Sequence, residues 1–280
     1  MILIDYNGVA VGNFVVQKLA TDENLVRHMI LNSIRMYKQK FGKEYGEVVI
    51  VSDGTNNWRK DVFPQYKANR KKSRETSTID WNEAFRIINK VRDELRDNFP
   101  YKVVHQQGCE ADDSIAQIAT ATQEFGRYEK VMIVSADKDF AQLQIHDNVR
   151  QYSPMTKKFI VEKNPRLNLQ EHILKGDAAD GVPNVLSDDS VFLDGRRQNV
   201  LSAKKKAVLM EDPKAMGDDV YRNWQRNKKM IDLMECPDPI VKDIINNFDS
   251  QDPSKNSSKI LNYLITNRCR LLIECAGEFI

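Results

Sequence analysis

The chain has 280 residues, 41% of them hydrophobic, and a net charge of only +2. That length predicts about two domains rather than one core. No stretch approaches the roughly 18 apolar residues of a membrane span, and the first acid, Asp5, comes too early for a secretory signal, so a cytoplasmic, non-membrane protein is expected. Four scattered cysteines without a CxxC pair argue against zinc and against a disulfide framework. His28, His105, His146 and His172 have no ligand spacing and read as structural or surface residues.

The small net charge hides a segregation. Residues 57–75 carry Arg59, Lys60, Lys67, Arg70, Lys71, Lys72 and Arg74 against only Asp61 and Glu75. Acids concentrate elsewhere, at Glu110, Asp112, Asp113, Asp137 and Asp139. A basic segment facing an acidic cluster suits an enzyme that grips phosphates and cuts them with metals; a solvated charged face is the alternative.

In chain order, Ile2–Ile4 predicts a buried strand, Leu25–Phe41 a helix and Val48–Val51 a second strand. Trp81–Leu95 has helical spacing, Lys102–His105 is a weaker strand, Ala111–Phe125 a helix and Val131–Val134 a strong strand. The alternation implies an α/β fold with a mostly parallel sheet flanked by helices. Beyond it, Leu169–Lys175, Asp218–Met234, Ile240–Phe248 and Lys259–Ala276 read as helices, Val191–Leu193 as a weak strand, and 249–258 as a loop. The expected division is an α/β domain at 1–165 and a helical domain at 166–280.

In an open parallel sheet, ligands bind beyond the carboxyl ends of the strands. Asp5 ends the first strand, Asp53 follows the second, Asp137 and Asp139 follow VMIV, and Glu110, Asp112 and Asp113 open the helix after the KVVH strand. Individually these are turn, cap or helix-dipole residues. Together they predict one acidic edge, and two carboxylates 4 Å apart repel by roughly 4 kcal/mol at an effective dielectric near 20. Such an edge calls for cations, and all-oxygen ligands suit Mg²⁺ or Mn²⁺. Cys109 lies beside the cluster, but an acidic setting raises a thiol's pKa and blunts it as a nucleophile.

These residues, taken in order, resemble the flap-endonuclease or 5′–3′ exonuclease superfamily. The carrying segments are LIDYNG at 3–8, VSDGTNNWRKDVFPQYKANR at 51–70, CEADD at 109–113, SADKDF at 135–140 and GDAADGVPN at 176–184. YSPMTKKF and the GEFI ending resemble its T-even-phage RNase H branch. The resemblance implies a PIN-like nuclease domain, a C-terminal helical DNA-binding domain and two Mg²⁺ ions, with Mn²⁺ as substitute. It implies that Asp5, Asp53, Glu110, Asp112 and Asp113 serve the first metal, and Asp137, Asp139, Asp177 and Asp180 mainly the second. It also implies a monomer that removes RNA primers in lagging-strand replication and acts on RNA–DNA hybrids and on DNA duplexes with a 5′ end or flap. A phage single-stranded-DNA-binding protein is the implied partner. With the first strand starting at residue 2, no N-terminal tail is expected for docking a partner.

The stretch 54–80 is long for a connection inside a compact domain. The resemblance makes it an arch admitting a free 5′ end, with Lys67 and Arg70 at the scissile phosphate. Trp58, Phe63 and Tyr66 would stack on unpaired bases, and the segment is expected to order only on nucleic acid. Lys204–Lys206, Lys228 and Lys229 read either as solvated helix faces or as contacts to duplex backbone. One departure stands out: GDAADGVPNVLSDDSV lacks the family's glycine after the proline and adds Asp188 and Asp189. That puts the usual duplex-binding hairpin and its monovalent-cation site in question. The alternatives are a toxin-like RNase, a non-catalytic DNA-structure binder, which would be expected to lose acids, and a haloacid-type phosphatase, which needs a second Asp two residues after Asp5.

Overall fold

The computed structural model describes residues 1–16, 22–68, 70, 77, 79–124 and 126–280. Lys71, Lys72, Arg74 and Glu75 of the basic segment, and Phe125, lie outside the described residues. Six strands form one sheet in the order β3-β2-β1-β4-β5-β6. They are β1 (Ile2–Asp5), β2 (Val48–Ser52), β3 (Lys102–His105), β4 (Val131–Val134), β5 (Val149–Ser153) and β6 (Lys158–Ile160). All neighbours pair in parallel except the β5–β6 hairpin. The apolar, largely β-branched runs at β1, β2 and β4 are almost wholly buried, as strands covered on both faces must be.

The chain runs outward from β1 to β3 on one side, then restarts at β4 on the other. The strand order therefore reverses between β1 and β4. This is the switch point where an open α/β sheet leaves a crevice at its carboxyl edge.

Alternating strand residues feed two cores. Ile2, Ile4 and Ile50 face α1 (Tyr6–Val16), α2 (Glu23–Tyr45) and α4 (Trp81–Asn98). Leu3, Val49, Val51 and Ile133 face α5 (Ala111–Ala121) on the opposite side. Helix α3 (Arg59–Val62) is a single turn that follows β2.

The C-terminal half is helical: α6 (Pro165–Lys175), α7 (Ala203–Glu211), α8 (Asp218–Ile231), α9 (Asp238–Asp249), α10 (Ile260–Thr266) and α11 (Arg270–Ile273). It joins both cores. Met230, Leu233 and Ile244 pack with the α5 face, and Tyr263, Leu264 and Phe279 with the α2 face. A small cluster of Leu174, Val185 and Leu209 is its own.

Several expectations need correction. Helix α1 was not foreseen, because its run YNGVAVGNFVV is apolar without a polar stripe. The β5–β6 hairpin was missed too; its turn uses Lys157 at φ 56°, an unusual choice that masks the turn signal. Val191–Leu193 is a turn, not a strand. The single helix expected over Lys259–Ala276 is broken into short pieces where Arg268 takes φ 54°.

Trp58, Phe63 and Tyr66 are buried rather than presented to bases. They belong to the core under α5. Apolar surface that looks free in sequence was claimed by the nearest packing face.

Candidate active site

The sheet gathers the acids as its topology requires. Asp5, Asp53, Glu110, Asp112 and Asp137 line one cleft of about 280 Å³, together with Lys67 and Arg70. Asp5 is held by the Gly8 N–H at 2.9 Å and by the Ser135 hydroxyl at 2.7 Å. A Cβ at Gly8 would lie 2.5 Å from Asp5 Oδ2, so only glycine lets the helix start so close. Asp53 accepts the Ala111 N–H at 3.0 Å, which ties β2 to the start of α5. Asp137 caps the 3₁₀ turn after β4 by accepting the Asp139 N–H at 2.9 Å.

The environment opposes charge on several of these groups. Burial, then repulsion from Asp53, pushes the Asp5 carboxyl up to about 6, against the Gly8 and Ser135 bonds. Burial also raises Asp53, with Glu110 adding to it. Asp112 is pushed well above the usual carboxylate range by burial and by Glu110. Burial alone would raise Glu110 too, but Lys67 overcomes it and holds that carboxyl low. Cys109 is pushed up to about 12 by burial and by Asp113, so no thiolate nucleophile sits here.

Lys67 Nζ lies 2.6 Å from Glu110 and 3.5 Å from Asp180. Arg70 reaches Asp180 at 2.5 Å. Both cations are thus already at the acids, contrary to the expectation that nucleic acid must bring them there. The Lys67 backbone takes φ 58°, a left-handed conformation that a lysine rarely adopts. It is fixed by the Lys67 N–H to Asp180 carbonyl bond of 2.7 Å.

Two expected ligands are placed differently from the sequence reading. Asp113, assigned to the first metal by resemblance, is fully buried. Its oxygens accept both Arg59 guanidinium nitrogens at 2.7 and 2.8 Å, the Trp58 indole at 3.3 Å and the Glu110 N–H at 3.1 Å. Asp113 does not line the cleft, and its bond to the Glu110 N–H ties it to the start of α5. Asp180, assigned mainly to the second metal, sits with Glu110 instead; the Tyr66 hydroxyl bonds both, at 3.2 and 2.8 Å.

A second group comprises Asp139, His172 and Asp177, with one possible ligand atom from each within 4.8 Å of the others. His172 Nδ1 lies 3.4 Å from Asp139 and Nε2 3.5 Å from Asp177. Lys138 lies 3.0 Å from Asp177. Burial, then Asp137, raises the Asp139 carboxyl to about 7. Burial would raise Asp177 as well, but His172 and Lys138 hold it far below the usual range. His172 was read as structural; nothing local in the last turn of α6 distinguishes it from a helix-end histidine.

The donor set fits divalent cations. Asp139 Oδ1 and His172 Nε2 are buried without a well-aligned hydrogen-bond partner, a state that costs roughly 1–3 kcal/mol per group unless something else satisfies it. The first group offers only carboxylates, the hard donors that Mg²⁺ and Mn²⁺ prefer; the second adds an imidazole, a donor common at transition metals.

Residues 1–171 match the family model of the 5′–3′ exonuclease N-terminal resolvase-like domain, and residues 163–279 match that of the T4 RNase H C-terminal domain. The chain is 32% identical to the Ribonuclease H of Enterobacteria phage T4, covering 99% of this chain and 95% of that protein. It is 28% identical to a 5′–3′ exonuclease of Buchnera aphidicola, over 61% of this chain and 60% of that one. Among solved structures, the flap endonuclease of bacteriophage T5, crystallised with DNA and metal ions, superposes with a TM-score of 0.61 at 15% identity, covering 94% of this chain and 98% of that one. A metal-bound form of the same phage T5 protein gives 0.62 at 16%, with the same coverage.

The fold and the acidic cleft therefore define a nuclease. The chain belongs to the 5′–3′ exonuclease family, in the branch with the phage ribonuclease H type of C-terminal domain. Among the described residues, no helix is long and apolar enough to cross a membrane.

Proposed function

We propose that this nuclease hydrolyses phosphodiester bonds from 5′ ends with two Mg²⁺ ions, which Mn²⁺ can replace. The carrying observation is the cleft at the sheet's switch point, where five carboxylates converge beside Lys67 and Arg70. Asp5, Asp53, Glu110, Asp112 and Asp137 would hold the first ion, with Asp180 at its edge; Asp139, Asp177 and His172 would hold the second. Divalent cations held by these residues would supply activation of a water and stabilisation of the leaving oxygen of an in-line displacement.

The chain's own residues do the rest. Ser135 and the Gly8 N–H fix the Asp5 carboxylate, and Arg59 through Asp113 fixes the start of α5. Lys67 and Arg70 neutralise Glu110 and Asp180 in the metal-free protein. Were those carboxylates held by divalent cations, Lys67 and Arg70 would be free to turn toward phosphate. There they act on charge that grows in the transition state.

Residues 1–165 would carry the chemistry and 166–280 would grip duplex. The substrates would be RNA–DNA hybrids and DNA duplexes with a 5′ end or flap, as in primer removal on a lagging strand. The reading extends to a monomer beside a single-stranded-DNA-binding protein, in the cytoplasm of an infected host, the last in keeping with similarity to a phage protein. The test is a 5′-labelled RNA–DNA hybrid, a nicked duplex and a flap, each with Mg²⁺ and with EDTA. Release of short 5′ products only with Mg²⁺ supports the reading; cleavage persisting in EDTA, or none with either, overturns it.

A further inference from the structure

Helix α8 contributes no side chain to either carboxylate group, yet it is bonded to the backbone beside Asp177 and, through the Gln142 side chain, to the Asp139 carbonyl. Asn227, fully buried at the inner face of α8, donates its amide nitrogen to the carbonyls of Ile173 and Pro183, each at 2.8 Å. Those carbonyls flank the loop that carries Asp177 and Asp180, so one amide joins the loop's entry to its exit. The loop is already tight. The Val182 N–H donates to the Asp177 carbonyl at 2.8 Å, and the Val185 N–H to Leu174 at 3.1 Å. Gly176 sits at φ 68°, and a Cβ there would lie 2.5 Å from the Pro183 oxygen. At the other end of α8, Gln142 does the matching work. Its Nε2 donates to the Asp139 carbonyl at 2.8 Å and the Ile231 carbonyl at 3.1 Å, and its Oε1 accepts the Leu233 N–H at 2.9 Å.

A buried amide whose two N–H donors are both used is costly to replace, because removing it strands two carbonyls. Stability alone does not require those carbonyls to be the ones bracketing Asp177. We propose that Asn227 and Gln142 are positioning residues: they hold Asp177 and Asp139 at the separation a divalent cation needs, so α8 governs occupancy of the second metal position. This rests on the two-metal reading above. Asn223, one turn earlier, makes similar bonds to Val185 at 3.0 Å and Ser187 at 3.2 Å. Those carbonyls lie past the acids, which makes it the internal control.

The experiment is a Mn²⁺ titration of the full chain, read by the electron paramagnetic resonance of free Mn²⁺, with thermal melts alongside. The wild type is expected to bind two ions. Asn227→Leu should keep the tighter ion and bind the other about tenfold or more weakly, the usual scale for residues behind metal ligands, while still melting cooperatively. Asn223→Leu should lose stability but keep both affinities. Should Asn227→Leu fail to fold, Gln142→Leu gives the same reading from the Asp139 side. Two ions at wild-type affinity in a folded Asn227→Leu or Gln142→Leu protein would overturn the proposal. So would an equal loss of the second ion in Asn223→Leu. A wild-type protein that binds no Mn²⁺ would overturn the two-metal reading itself, a distinguishable result.

Discussion

The two carboxylate groups are built by different means. Asp5, Asp53 and Asp137 stand at or just past the ends of buried parallel strands, where the sheet's hydrogen-bond register places them relative to one another. Asp139 and Asp177 stand on a 3₁₀ turn and a tight loop, bridged by His172 from a helix end and braced through α8. The first group stands at the edge of the core sheet. The second is bracketed by two buried amides, Gln142 on the 3₁₀ turn itself and Asn227 on α8. On the proposed two-metal reading, one ion position would be set by topology and the other by side-chain bracing, and the two should respond differently to mutation.

The largest expected effect is at the strand-end group. Asp5→Asn should lower single-turnover cleavage by about three orders of magnitude while duplex binding persists or tightens. Asp249→Asn, at the exposed end of α9, should change nothing. Near-normal cleavage by Asp5→Asn would remove the strand-end group from the chemistry.

Asp113→Asn separates support from ligation. It leaves Arg59 buried and half-paired, which costs about 3–5 kcal/mol. Chemical denaturation should show that loss even in EDTA. Unchanged stability with a lost metal ion would make Asp113 a ligand after all.

Lys67→Ala should slow single-turnover cleavage by about a hundredfold, with affinity changed only severalfold. A change confined to affinity would make the basic segment a grip alone. His172→Ala should be milder, weakening the second ion by about tenfold and leaving the first untouched.

The smallest effect is in pH dependence. Asp5 and Asp139 have folded-state pKa values raised to about 6 and about 7, above the unfolded value of roughly 3.9. Their contribution is complete below about pH 4 and is lost as pH rises through 6 and 7. The metal-free protein should therefore lose a few degrees of melting temperature across that window, and the stabilisation by Mg²⁺ should grow over the same range. Melts in EDTA and in Mg²⁺ from pH 5 to 8 check this; a Mg²⁺ increment independent of pH would contradict it.

The same contrast explains what could be read from the chain. Strand-end acids are legible because ILID, VVIVSD and VMIVSAD each announce a buried strand and its terminus, and topology does the rest. The supporting pairs are not. Arg59 and Asp113 meet across 54 positions, and nothing local marks either as the other's partner. The surroundings of His172 and Asp180 are not legible either, because they are set by how α6 and the following loop dock, which periodicity does not encode. The aromatic residues after β2 looked available to bases, yet a packing face lay within reach. Helix α1 escaped notice because its apolar run lacks the polar stripe by which amphipathic helices are recognised.

The central claim, two ions held by two differently built carboxylate groups, is tested most directly by anomalous diffraction from Mn²⁺-soaked crystals of the full chain. The account predicts two peaks: one ringed by Asp5, Asp53, Glu110, Asp112 and Asp137, the other beside Asp139, His172 and Asp177. A single peak, or a second one away from the Asp139 group, would contradict it.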